Sequence, residues 1–242
     1  MTPQFPPMMS GHELKADQSP ARKAVGGAVK GKYSAGDILW VRDEDTLDCA
    51  IVLEPEVSRE EALSMVFTKM VAIGDAVGAI APPEIAITYH WPNKVLANGA
   101  LIGKVDAIFS ERDQDGSPVF MVLAINLKVR PTADNIDPGL DESQTTLWDE
   151  GCGDLDALQV LDSMARHFMT WIHTWEEEGM QPILTQLDGR MEQGHALSVG
   201  GENGNFLGLD EHANLILKKE AGGSAVIKAI DALNTSLEAH LP

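Results

Sequence analysis

Two lysines, Lys94 and Lys104, stand where a cation could meet a carboxylate or a phosphate, each also fitting a solvated strand surface. Lys94 directly follows Trp91-Pro92-Asn93, and Lys104 follows Gly103. Asn126, in an apolar run, could hydrogen-bond a ligand or simply sit near a sheet edge. Asp43, Glu44 and Asp45 form an acidic triplet that could bind a cation, but in a short polar stretch between two apolar runs they read as a solvated turn. His173 and Glu176 have the i,i+3 spacing that some metal sites use. No second such pair exists, so they read as a helix surface, and no metal site is expected. Cys49 lies in an apolar run and reads as a core thiol, whereas Cys152 lies between two glycines in a loop. No Ser/His/Asp or Cys/His grouping suggests nucleophilic catalysis, and two cysteines make no disulfide framework.

The net charge of -19 repels polyanions, so nucleic acid is not an expected partner. The N-terminal residues lack a basic-then-apolar leader, and no run of about 18 apolar residues suggests a membrane span. These features, with the cysteine usage, point to a cytoplasmic protein.

The chain has elements that can position these residues. Residues 1–20 read as a polar arm and 21–33 as a short helix. Asp37–Val41 and Asp48–Leu53 are apolar runs parted by a charged turn, the pattern of paired strands. Ser58-Arg-Glu-Glu61 is a capping box, opening a helix whose apolar stripe runs from Ala62 to Val77 and ends at Gly78. Ile85–Trp91 is a strand, and Asn98-Gly99 is a hairpin turn into the strand Ala100–Phe109. A turn at Asp113–Gly116 leads to the strand Val119–Val129, and 130–155 reads as a long loop. Leu155–Glu178 has the broadest helical apolar face, with Gly179 as its stop and a second short helix over Met180–Met191. From Gly194 short strands alternate with Gly, Asn and Asp turns, which predicts a small barrel, and Lys228–Leu241 reads as helical.

In this order the motifs resemble the biotin/lipoate–protein ligase family. Trp91-Pro92-Asn93 stands for the family's Trp-Pro-Asn-Asp, Ala100-Leu-Ile-Gly103 for its Lys-Leu-Ala-Gly, and Ala124-Ile-Asn126 for its Gly-Ile-Asn. Trp171, Trp175, Gly179, Pro182 and Leu184 resemble the last helix of the catalytic domain and its exit, and Gly194–Val226 resembles the SH3-like module that follows it. The resemblance implies an α/β fold, a mixed, mostly antiparallel sheet backed by helices, with a ligase-type domain over 1–190 and an SH3-like β-barrel over 191–242. No helix-turn-helix precedes the match, so a repressor-type ligase is not expected.

The family activates biotin or a lipoyl-type acid with ATP and passes the acyl group from the adenylate to a carrier lysine. By resemblance, the ligand-binding set is Trp91, Pro92, Asn93, Lys94, Gly103 and Asn126, with Lys94 and Lys104 as the catalytic candidates. The implied partners are a small carboxylic acid and a biotinyl or lipoyl carrier protein, with ATP and Mg as substrate rather than a tightly bound cofactor. The chain departs from the family pattern at the positions that supply charge. Arg42-Asp-Glu-Asp-Thr-Leu47 stands where a Gly/Arg-rich loop belongs, Ala100 replaces the strand lysine, and Lys94 replaces the last Asp. Val122 and Ala124 replace glycines. This implies a depleted ligase site or, as the alternative, a non-catalytic binding module on the same fold. On an unbroken strand Lys104 shares a face with Ala100 but lies roughly 13 Å farther along, so Lys94 is the nearer cation. The expectation is a cleft lined by Trp91 and Asn93 with Ala100 at its floor, a Trp91 packed under the C-terminal barrel counting against the alignment.

Overall fold

The structure is a computed structural model in which residues 2–111, 116–132 and 143–233 are described. Seven strands make one mixed sheet in the order β1-β2-β3-β7-β6-β5-β4. They are β1 (Ser10–Leu14), β2 (Asp37–Val41), β3 (Thr46–Leu53), β4 (Ile87–His90), β5 (Lys94–Ala97), β6 (Ala100–Phe109) and β7 (Met121–Lys128). β1 runs parallel to β2, and every other pairing is antiparallel. The N-terminal arm thus contributes an edge strand. The sequence hides it because Ser10-Gly-His-Glu carries almost no apolar alternation, and pairing with β2 alone makes it a strand.

The sheet's two faces are covered differently. On one lie α2 (Arg59–Ala62), α3 (Ser64–Ile80) and α4 (Ala157–Glu178), packed on Cys49, Ile51, Val105, Leu123 and Ile125. Asp156 closes a capping box at the start of α4, and Gly179 takes the positive φ (75°) that ends it. The helix expected from Ser58 is broken at Leu63 and runs on to Ile80. Together α2 and α3 are long and apolar enough to cross a membrane, but most of this stretch is buried inside the fold. On the other face α1 (Pro20–Ala28) covers Leu39, Ala50, Val52, Ile108 and Val122, and among the described residues the half that carries Lys94, Lys104 and Asn126 stays open.

After α5 (Gln181–Asp188) the expected barrel strands are a four-stranded antiparallel sheet, β11-β10-β9-β8. It comprises β8 (Ala196–Val199), β9 (Glu202–Leu209), β10 (Leu215–Lys219) and β11 (Ser224–Ile227). Phe206, Ala213, Leu215 and Leu217 join the main core, so this sheet is docked on the larger one. The C-terminal helical reading reduces to α6 (Ala229–Ala232) within the described residues, and 234–241 lie outside them. The turn expected at Asp113–Gly116 is described only at Gly116. Both cysteines are buried and free.

Candidate functional site

The open half of the α1 face carries the polar residues that the strands place in register. Cross-strand partners point to the same side. His90 pairs with Lys94, Lys94 with Lys104, Lys104 with Asn126, and Asn126 with Asp48. One transverse row therefore crosses five strands with two lysines at its centre. Lys94, Lys104 and Asn126 are exposed, whereas Asp48 and His90 are half-buried. Lys128 and Thr46 stand opposite each other one step along the same face.

The tight turn at Trp91-Pro92-Asn93, with a cis peptide before Pro92, joins β4 to β5. Asn93 is stitched to β6. Its side-chain amide donates to the Val105 carbonyl (3.0 Å) and to Asp106 Oδ1 (2.9 Å). Asp106 Oδ2 in turn lies 2.7 Å from Lys104 Nζ. Asn93 thus orients Asp106, and Asp106 holds Lys104 over the row. At the end of the row, His90 Nε2 meets Glu192 Oε2 at 2.6 Å, and His195 stacks on His90 with centroids 4.1 Å apart. Burial lowers the pKa of His195, opposed by its hydrogen bond to the Glu192 carbonyl.

Trp91 is buried, and its indole Nε1 donates to the Ala213 carbonyl at 3.0 Å. It packs beneath the C-terminal sheet, not over the open face. With Pro92, His90 and Lys94 it lines a cavity of about 470 Å³ whose other wall is Ala196–Gly200 and whose end is Asp231 and Ala232.

Ala100 does not floor a cleft on the open face. The register between β5 and β6 shifts around Ile102: Leu96 pairs with Leu101 and Val95 with Gly103. One extra residue reverses the alternation. Lys104 and Ala100 therefore look to opposite sides of the sheet, and Leu101 shares the open face with Lys104. Gly103 sits at the bulge, where a Cβ would lie 2.0 Å from the Asn126 carbonyl oxygen. Its place in the motif reflects a close approach of two strands.

The β2–β3 connection is a short hairpin closed on itself. Asp43 Oδ1 accepts from the Asp45 and Thr46 amides (2.8 and 3.2 Å), an Asx turn. Arg42 reaches back to Glu13 through two bonds of 2.9 and 2.8 Å. The Asp48 carboxyl is raised above the usual carboxylate range, first by burial and then by the negative charge of Asp43, which places that turn beside the open face.

Among the described residues no group of three or more His, Cys, Asp or Glu is placed to hold a metal ion. His173 and Glu176 lie on α4 away from the row. Sequence reading overlooked Asp106, Asp48, Lys128 and Leu101. Period-two alternation along β6 and β7 points to Asp106 and Lys128, two residues beyond Lys104 and Asn126, but only the register brings in Asp48 from β3.

Comparison with known proteins agrees with this architecture. The profile of the biotin/lipoate A/B protein ligase family matches residues 5–188. The chain belongs to that family. It is 28% identical over 195 residues to the biotin–[acetyl-CoA-carboxylase] ligase of Paracoccus denitrificans, covering 77% of this chain and 80% of that protein. A biotin protein ligase-like protein of unknown function from Silicibacter sp. TM1040 superposes with a TM-score of 0.86 at 33% identity, covering 96% of this chain and 99% of that one. The Aquifex aeolicus biotin protein ligase in complex with biotin and ATP superposes with a TM-score of 0.72 at 19% identity, over 90% of this chain and 95% of that one, which establishes the fold. Trp91 packs under the C-terminal sheet, contrary to the expected cleft, and the family assignment rests on the profile match over residues 5–188.

Proposed function

We propose that this family member binds a small carboxylic acid of the biotin or lipoate type, or its adenylate, on the open half of the α1 face. Lys94 and Lys104 meet the anionic group, and Asn126 hydrogen-bonds the ligand. Asn93 positions Lys104 through Asp106, Trp91 and Pro92 frame the cavity beside Lys94, and Gly103 lets β6 and β7 close up behind the row. In this reading residues 1–190 form the ligase-type domain, and 191–242 an SH3-like module that covers its edge. ATP with Mg is a substrate only if activation survives, and transfer would go to the lysine of a biotinyl or lipoyl carrier protein.

The observation that carries the depleted-site reading is the β2–β3 hairpin. Adenylate formation brings a carboxylate onto the α-phosphate and expels pyrophosphate, so it needs preorganised cations where charge accumulates. Here the connection has one arginine, and Glu13 holds it. The second reading, a non-catalytic binding module, rests on the same hairpin. Calorimetry with biotin, lipoate, octanoate and ATP, followed by ATP–pyrophosphate exchange with each acid, separates the two. Binding with exchange far below that of the Paracoccus relative supports a depleted ligase. Binding without exchange supports the module, and the absence of binding by any acid refutes both.

A further inference from the structure

Among the described residues the charges on the open half of the face are few. Lys94, Lys104 and Lys128 point onto it by register, and so do Asp48 and Asp106. With Glu192 on His90 at the end of the row, three carboxylates face three lysines among the described residues, and the spare positive charge is a local one. Its location is set by the contacts. Lys104 is bound to Asp106. Lys128 donates to Gln144 and lies on the side toward β3. Lys94, exposed beside the cavity, directly faces Lys104. Two like charges directly opposite each other are destabilising on a sheet, and an anion between them relieves the repulsion. At the other end of the row the sign reverses, since Asp48 stands next to Asn126 and the turn carboxylate of Asp43 lies close enough to oppose its ionisation. Arg42, the cation nearest that turn in sequence, is engaged by Glu13.

We propose that this face is selective for a ligand bearing a single negative charge, a carboxylate or a singly charged phosphoryl group seated between Lys94 and Lys104, and that it excludes polyphosphates. The inference rests on the acid-binding reading above and narrows it. A monoanion satisfies the local surplus at Lys94, because Lys104 is held by Asp106 and Lys128 by Gln144. A triphosphate or pyrophosphate anchored at Lys94 either projects its surplus charge into solvent or extends along the row toward Asp48 and Asp43. Magnesium reduces that surplus but does not remove it. Strand spacing of about 4.8 Å puts Asp48 three strands, roughly 14 Å, from Lys94, within the span of a nucleotide. A free acid and an acyl-adenylate both meet the requirement, because the adenylate carries its one charge on the phosphoryl group of its mixed anhydride.

The test uses the full chain and titration calorimetry at low ionic strength, where charge effects are least screened. One arm takes biotin, lipoate and octanoate. A second takes the corresponding acyl-sulfamoyl adenosines, which carry a single charge and resist hydrolysis. A third takes inorganic pyrophosphate and ATP, with and without Mg. The expected result is binding in the first or second arm and affinity at least about 100-fold weaker in the third. The first two arms identify whether the free acid or the adenylate is the better ligand. Lys94→Glu should abolish monoanion binding. Asp43→Asn combined with Asp48→Asn should raise pyrophosphate and ATP affinity by about tenfold or more. Tight ATP or pyrophosphate binding by the unaltered protein overturns the proposal, as does a polyphosphate affinity that the double variant leaves unchanged. If no acid or sulfamate binds but the double variant gains pyrophosphate binding, the charge selectivity holds and the acid-binding reading fails. Circular dichroism and the urea midpoint of each variant establish that it is folded.

Discussion

Trp91 Nε1 and the Ala213 carbonyl are 3.0 Å apart, and this bond ties the Trp-Pro-Asn corner of the large sheet to the turn before β10. Trp91→Phe removes the donor together with part of the indole's buried volume. A buried carbonyl left without its partner costs about 1–3 kcal/mol. Tm should fall by several degrees, at about 2–4 °C per kcal/mol for a chain of this size. The amides of β8–β11 should exchange faster while those of β3, β6 and β7 change little. Equal acceleration in both sheets would show that Trp91 acts as general core packing and does not hold the C-terminal sheet.

Leu101, and not Ala100, shares the open face with Lys104. Leu101→Lys should therefore bring a third amine toward the Lys94–Lys104 pair, and Ala100→Lys should not. One well-placed donor contributes about 100- to 1,000-fold to acyl or phosphoryl chemistry. Partial placement predicts ATP–pyrophosphate exchange raised about tenfold in Leu101→Lys and unchanged in Ala100→Lys. The reverse pattern would mean that β6 does not carry the bulge at Ile102.

Gly103→Ala should destabilise the sheet. The added Cβ would sit 2.0 Å from the Asn126 carbonyl and 2.9 Å from Leu127 Cα, both backbone atoms that cannot swing aside. Overpacking of this kind costs about 1–3 kcal/mol. A lower urea midpoint with an unchanged m-value checks it, and a neutral result would place the two strands farther apart than described.

Lys69 lies fully buried on α3, with no hydrogen-bond partner for Nζ among the described residues and the ring of Phe168 4.2 Å away. Burial pulls its pKa down to about 7, opposed by the neighbouring Cys49. The unfolded chain holds the Lys69 proton up to about pH 10.5, so between the two values it binds more protons than the folded state, and stability rises with pH. Below pH 7 the charge is buried and the full penalty applies. Burial raises Cys49 from 9.0 to about 12, which opposes the trend above pH 9. The clean window is therefore pH 7 to 9. Lys69→Met should stabilise the protein by on the order of a few kcal/mol at pH 7. Its advantage in urea midpoint should shrink steadily toward pH 9. An advantage constant across this range would show that Lys69 stays protonated, its ammonium hydrated, in the folded state.

Much of the fold was legible because its signals are local. The capping box at Ser58, the apolar faces of α3 and α4, the Asn98-Gly99 turn and the glycine-spaced C-terminal strands each declare themselves within a few residues. The ordered motifs around Trp91, Gly103 and Asn126 carried the family. β1 and β5 escaped notice for the opposite reason: β1 is too polar to alternate, and β5 is four residues squeezed between two turns.

The amino-acid sequence by itself determined the residue types at the site, the scarcity of cations around it, and the strands and helices that carry them. Which of those residues meet was decided only by the tertiary structure. Alternation along a strand is counted from an unbroken register, and a single inserted residue at Ile102 reverses it for everything upstream, so Ala100 and Lys104 cannot share a face. Pairings such as Lys94 with Lys104, Asn126 with Asp48, or Trp91 with Ala213 join positions up to 122 residues apart. They follow from how the whole sheet and its docked neighbour bury their apolar surface, which no local stretch of residues specifies.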